Sequence, residues 1–402
     1  INGVWPKKET TMKHLPVIPE SEFKQRREAL QARMAEAGVD LLVVNSNDRS
    51  THGHGNIRYL TDFATHFEPS CCLIPRSGES VLVLGPESEA LAEITAKIEH
   101  IYVAEEYTHP EEEYPCSTMY SLKEIIKKTE HTREGEIRKI GIIGEEFMDP
   151  AIGAALKKNY ELVSADTMMI DVRSTKSEAE IKVIEYTYKI AGAGLKAALG
   201  AIKEGVTEYE VAAEIEYAMR KMGSEGVGID TMVASGVANS RPIIARTTFR
   251  RIKPKEIIHL SIIPKYQGYH AAIGRPVSIG DPGASVVEAA ELTVLAQDEM
   301  IANLRPGVLG REVENLSRVV MARKGFVLPY IALHSVGVLE FEPPIFFSKN
   351  DRKLEENMIV SVDVPCFLNP WGGFRIEDGY RVTKDGAVPL LDSVQRGLIV
   401  LD

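Results

Sequence analysis

EGVTEYEVAAEIEYAMRKMG (204–223) and PGVLGREVENLSRVVMARKG (306–325) are two copies of one pattern. Gly205 matches Gly307, Val206 matches Val308, and Glu210 matches Glu312. Val211 matches Val313, and Gly223 matches Gly325. Each copy follows a long helical stretch and precedes a strand pair. The first pair is IIHLSIIPKYQGYHAAIGR (257–275), and the second spans 358–383. Two helix–helix–hairpin units in tandem predict an α+β domain folded about a pseudo-two-fold axis.

Upstream the pattern changes. An amphipathic helix over 20–37 stops at Gly38. DLLVVNS (40–46) reads as a buried strand, and CCLIP (71–75) with SVLVLG (80–85) reads as a hairpin. Helices over 87–97, 119–129 and 150–158 alternate with strands over 100–104 and 139–143. That alternation predicts a small α/β domain. A boundary falls near 165–177, where Ser177 and Glu180 form an S-x-x-E capping box opening a helix over 178–203. The expected division is a leader over 1–16, an α/β domain over 17–170, and the repeated domain over 171–402. Met12 is a candidate natural start, with 1–11 then an added leader.

Composition bounds the partners. The 402 residues carry a net charge of −11, which argues against nucleic acid and anionic membrane. Four cysteines are too few for a disulfide framework and fit a reducing cytoplasm. No run of 18 apolar residues predicts a membrane span, and the start lacks the apolar core of a secretory signal. The expected partner is a small-molecule substrate.

Strand alternation groups the polar residues. Side chains two apart share a face. His259 and Ser261 therefore share one, as do His270 and Ala272. Ser361, Asp363 and Pro365 share a third, and Arg375, Glu377 and Gly379 a fourth. Paired about the pseudo-two-fold, these faces line one pocket, which His334 enters from LPYIALHSVG. His334 is the candidate general base, oriented by Glu377 or Asp363. His270 is a candidate catalytic residue, its imidazole expected to fill the space beside Ala272. Ser261, Ala272 and His259 are expected at the substrate, and Arg375 is expected to hold a substrate carboxylate or pair with an acid.

With RSTKSEAEI (173–181), DTMVASG (230–236), FEPP (341–344) and GGFRIEDGYRVTKDG (372–386), the chain resembles the pita-bread superfamily. That superfamily holds methionine aminopeptidases, Xaa-Pro peptidases and creatinase. NIRYLTDF (56–63) resembles part of a creatinase-type N-terminal domain. The resemblance implies a two-ion site of Asp, Asp, His, Glu and Glu. Carried over, these fall on Ser261, Ala272, His334, Asp363 and Glu377. The substrate-facing histidines fall near Ile243 or Ile244 and at Phe341, so Phe341 is expected at the substrate. The resemblance also implies a homodimer whose N-terminal domain reaches the partner's site, where His66 and Glu68 would stand.

Two divalent ions bring four positive charges, and hard ions need oxygen donors in number. With the hairpin acids gone, no cofactor is the first expectation. A single Zn²⁺ or Mn²⁺ on His334, Asp363 and Glu377 is the alternative. Three functions follow from these residues. The first is a metal-independent, creatinase-like hydrolase of a C–N bond in a small nitrogenous metabolite. The second is an inert member that binds a peptide or protein. The third is a mononuclear metal-dependent Xaa-Pro dipeptidase.

Overall fold

A computed structural model of the chain describes residues 15–49, 53–109, 112–130 and 136–402. The expected leader over 1–11 lies outside the described residues.

The N-terminal part is built on a seven-stranded sheet. Its order is Met119–Tyr120, His100–Ala104, Val81–Leu84, Ser70–Pro75, Leu41–Ser46, Lys139–Ile143, Glu161–Ser164. Ser70–Pro75 runs antiparallel to both neighbours, and the remaining pairs are parallel. Leu42 and Val44 enter one apolar core while Leu41 and Val43 enter another. Helices cover both faces, which is why the strand reads as a continuous apolar run. The helix Glu20–Ala37 ends at Gly38, whose φ of 63° is left-handed. The helix expected over 119–129 begins later, at Leu122, because Met119–Tyr120 pairs as an edge strand.

The repeat folds as two equivalent halves. Helices Glu178–Ala201 and Glu208–Lys221 answer to Ala284–Ile301 and Gly310–Ala322. The shared glycines have matching backbones: φ is 83° at Gly205 and 88° at Gly307, 97° at Gly223 and 77° at Gly325. A side chain is strained at these angles, so glycine recurs in both copies. Ser177 and Glu180 form the expected reciprocal cap on the first long helix.

Both halves feed one sheet. Of its nine strands, seven run in order from one edge: Glu342–Ile345, Leu333–Ser335, Ile359–Asn369, Gly372–Thr383, Ile273–Ile279, Ile258–Ile262 and Met232–Ser235; Gly386–Pro389 pairs with Gly372–Thr383 and Ile399–Leu401 with Ile273–Ile279. The Gly372–Thr383 and Ile273–Ile279 pair is the centre, and each half runs outward from it. Val360, Val362, Val364, Phe374 and Ile376 pack against the second helix pair in an apolar core. The opposite face carries Ser361, Asp363 and Glu377.

The 257–275 stretch departs from a simple hairpin. Pro264–Tyr266 and Tyr269–His270 peel away into a separate three-stranded sheet, where Pro264–Tyr266 lies between Tyr269–His270 and Gly226–Val227. Pro264 has no N–H with which to extend the ladder. Ala271 and Ala272 form the return, so alternation is broken between His270 and the Ile273–Ile279 strand.

Candidate active site

The register brings one polar row together. Ser261 pairs with Gly274, Gly274 with Glu377, and Glu377 with Asp363. Residues directly opposite in antiparallel strands share a face. His334 joins from the neighbouring strand, where it pairs with Ser361. Ser361 in turn donates its hydroxyl to Glu377 Oε1 at 2.8 Å. His334, Asp363 and Glu377 are thus gathered in a closed interior, each at most 3 % exposed.

Glu340 completes the group. It lies between the Leu333–Ser335 and Glu342–Ile345 strands. His270 N–H donates to the Gly337 carbonyl at 2.8 Å, and Leu339 packs over Gly55, where a Cβ would collide. Glu342 anchors the far end of the segment. Its carboxylate takes the Lys176 ammonium at 2.9 Å and the Arg173 guanidinium. Burial opposes its ionisation, but those two cations outweigh burial and hold it below the usual carboxylate range.

His334 Nδ1 lies 3.0 Å from the Ser335 carbonyl. A carbonyl only accepts, so Nδ1 carries the proton and Nε2 presents a lone pair. That lone pair faces Glu340 Oε1 at 3.9 Å and Glu377 Oε1 at 4.0 Å. Burial keeps the imidazole below its ordinary value and so neutral. Three electron-pair donors therefore converge, and the three residues form a candidate ion-binding group. Donors about 2.1 Å from a common ion are at most about 4.2 Å apart, so these spacings fit one ion. A backbone carbonyl fixing the far nitrogen is the usual support of a histidine that holds metal.

Asp363 turns elsewhere. Its Oδ1 accepts from the Tyr330 hydroxyl at 3.1 Å, and Oδ2 accepts from Arg375 Nη1 at 3.3 Å. Arg375 also approaches Glu377 Oε2 at 3.8 Å, and its guanidinium lies over the Tyr330 and Phe367 rings. Its stem crosses Gly274, where a Cβ would strike Arg375 Cγ. Burial opposes the charge, but Tyr330, Asp363 and Glu377 hold the guanidinium firmly protonated. Burial pushes Glu340, Asp363 and Glu377 each up to about 7. With no other cation present, protons would be the counter-charge near neutrality.

A two-ion site does not fit these residues. Where a second ion would need acids, the two inner strands offer Ser261 and Gly274, with the Arg375 stem across them. Ala272, fully buried, contributes a methyl group. One ion does fit. Arg375 takes its hydrogen bond to Asp363 and stays 3.8 Å from Glu377, leaving Glu340 and Glu377 to face one divalent cation.

The other expected residues fall around this centre or away from it. His259 is fully buried at 5.3 Å from the Phe367 ring; burial and then Arg375 hold it well below its ordinary value. Phe341 lies against His334 with its ring tilted, centroids 4.6 Å apart, and also lines a cavity of about 370 Å³ with Asn56, Arg173 and Leu339. His270 does not line the pocket with Ala272 as expected. The break after it turns the ring towards His54, 5.9 Å away, and its charged neighbours are Lys265 and Arg173. Glu68 caps a helix, accepting the N–H groups of Glu87 and Ser88.

Three residues of the centre escaped the sequence reading. Glu340 is an acid inside the apolar run VGVLEFEPP shortly after His334, and that was its signal. Tyr330 and Tyr188 carried none. Tyr188 comes from the Glu178–Ala201 helix, and its hydroxyl lies beside Glu377 and the Ala272 backbone. Gly379 leaves the room it fills.

The fold and this centre define a pita-bread hydrolase with a candidate divalent-ion site. Residues 182–384 match Metallopeptidase family M24, and residues 26–175 match the Creatinase/Prolidase N-terminal domain. The chain belongs to Metallopeptidase family M24. It is 30% identical over 314 residues to the Xaa-Pro dipeptidase of Pyrococcus horikoshii, covering 76% of this chain and 87% of that protein. It is 27% identical over 356 residues to the putative dipeptidase YkvY of Bacillus subtilis, covering 87% and 94%. Its fold matches the crystal structure of the Pyrococcus horikoshii prolidase with a TM-score of 0.78 at 23% identity, covering 92% and 99%.

These findings correct the first functional expectation. The relatives are named as Xaa-Pro dipeptidases and the family is one of metallopeptidases, so a metal-independent, creatinase-like reaction is not supported. The missing hairpin acids count against two ions but not against one. Without Glu340 in view, the acids left to the centre were undercounted. No helix among the described residues is long and apolar enough to cross a membrane.

Proposed function

We propose that this protein is a dipeptidase that hydrolyses Xaa-Pro bonds with a single divalent ion, Zn²⁺ or Mn²⁺, held by His334, Glu340 and Glu377. One observation carries the reading: an unprotonated imidazole nitrogen faces two carboxylate oxygens in a closed interior. A nitrogen and two oxygens are an apt donor set for either ion. The names of the Pyrococcus and Bacillus relatives support the substrate class.

When bound, the ion would supply Lewis acidity towards a carbonyl and towards water. The chain supplies the remainder. The Ser335 carbonyl fixes the tautomer of His334. Glu377 Oε2, buried and without a hydrogen-bond partner, is placed to take a proton from attacking water. Arg375 holds Asp363 out of the donor group, so the centre carries the charge of one ion. The reading includes a cytoplasmic homodimer. The buried, free Cys71, Cys72 and Cys366 support the reducing compartment, and light scattering tests the dimer.

The test is hydrolysis of Leu-Pro and Met-Pro by protein stripped of metal and reloaded with Zn²⁺ or Mn²⁺. Turnover that appears on reloading and is lost in His334→Ala is expected. Cleavage that persists in the stripped protein, or none with either ion, refutes the proposal.

A further inference from the structure

Beside the ion-binding group lies a second set of polar atoms with nothing to bond. His259 and Ser261 are fully buried, Glu377 is fully buried, and Arg375 is 8 % exposed. Both His259 nitrogens, Ser261 Oγ, Arg375 Nε and Glu377 Oε2 lack a hydrogen-bond partner among the described residues. Each such buried group costs about 1–3 kcal/mol, so a cluster of them marks a place where something binds. They share one face. His259 and Ser261 are two apart on Ile258–Ile262, and Ser261 pairs with Gly274, over which the Arg375 stem lies. Phe367 contacts both His259 and Arg375 and closes the side.

We infer that His259, Ser261 and Arg375 Nε form a donor pocket for the carbonyl oxygen of the amide being cleaved. This rests on the hydrolytic reading above. The donor inventory selects the ligand. Arg375 Nε only donates, Ser261 can donate, and a neutral imidazole offers one N–H. The guanidinium charge is already matched by Asp363, so the pocket suits a neutral oxygen acceptor better than a resident anion. Glu377 Oε2 is an acceptor at its rim, suited to the attacking water. As water adds, a C–O bond forms and the carbonyl π pair moves onto the oxygen. The water's proton passes to Glu377 Oε2. The oxygen's pair then returns, the C–N bond breaks, and the proton goes to the leaving nitrogen. Fixed donors aimed at that oxygen stabilise the charge as it develops.

Ser261→Ala tests the pocket, with His259→Gln as a second variant in case either fails to fold. Against Leu-Pro, the expected result is a fall in kcat on the order of 10-fold to 100-fold with KM within about twofold, as for loss of a transition-state donor. Ion content should stay that of the parent protein. An unchanged kcat, or a fall that follows ion loss, overturns the assignment. An infrared measurement separates this from failure of the hydrolytic reading. The ¹³C-labelled carbonyl of Leu-Pro, bound to metal-free protein, should stretch at lower frequency than in water. Part of that shift should vanish in Ser261→Ala. No shifted band, whether through lack of binding or lack of polarisation, overturns the pocket even if the dipeptide is cleaved.

Discussion

Replacing Arg375 with Met probes the charge balance of the centre most sharply. The variant keeps most of the stem that lies across Gly274 but removes the guanidinium. Asp363 then retains only the Tyr330 hydroxyl, and Glu377 Oε2 loses its nearest cation. Removing one partner of a buried ion pair costs about 3–5 kcal/mol. Loss of the stacking on Tyr330 and Phe367 adds about 1 kcal/mol. Proton uptake limits the damage: Asp363 already sits at about 7, and losing its counter-ion raises it further. The full cost is therefore expected at pH 8 and a smaller one at pH 6. Urea unfolding of metal-free protein at both pH values measures it. Adding Asp363→Asn to Arg375→Met should recover much of the loss, because the orphaned charge goes too. A destabilisation under 1 kcal/mol at pH 8, with no recovery in the double variant, would show that Arg375 is not the counter-ion of Asp363.

Other predictions follow from neighbouring contacts. Glu342→Gln leaves Lys176 and Arg173 buried without a carboxylate, so unfolding should show a loss of at least about 3 kcal/mol. Gly274→Ala places a methyl group against Arg375 Cγ and Glu377 Cβ, and should cost about 1–3 kcal/mol in the same assay. The raised Glu340, Asp363 and Glu377 make metal-free stability depend on pH. Between an unfolded value near 4.5 and a folded value of about 7, the folded state holds more protons than the unfolded. Stability is therefore fully present below the unfolded value and lost as pH rises through 7. Thermal melts with chelator should fall from pH 5 to pH 8, and saturating Mn²⁺ or Zn²⁺, which takes Glu340 and Glu377 as carboxylates, should shrink the fall.

What could be read in advance follows the periodicity of each element. The repeat gave the paired halves because its glycines are backbone requirements, with φ near 85° at both Gly205 and Gly307. Strand alternation placed His259, Ser261, Asp363, Arg375 and Glu377 on one face because their strands run unbroken through the central sheet. It failed for His270, since the return at Ala271 and Ala272 resets the face after Pro264 leaves the ladder. Glu340 was missed for a related reason. It lies between strands, where side-chain direction follows from contacts such as Leu339 over Gly55, which no local pattern encodes. Asp363 was placed correctly in space but expected among the ion's donors. Its diversion to Arg375 depends on Gly274 leaving room for the arginine stem.

The central claim is that this interior holds one divalent ion on His334, Glu340 and Glu377. The direct measurement is ion content per chain after dialysis against Zn²⁺ or Mn²⁺, by mass spectrometry of the metal alongside calorimetric titration. One ion per chain is expected, with Glu340→Gln and His334→Ala each abolishing stoichiometric uptake and Ser261→Ala leaving it intact. Two ions per chain, none, or one that survives Glu340→Gln would contradict the account.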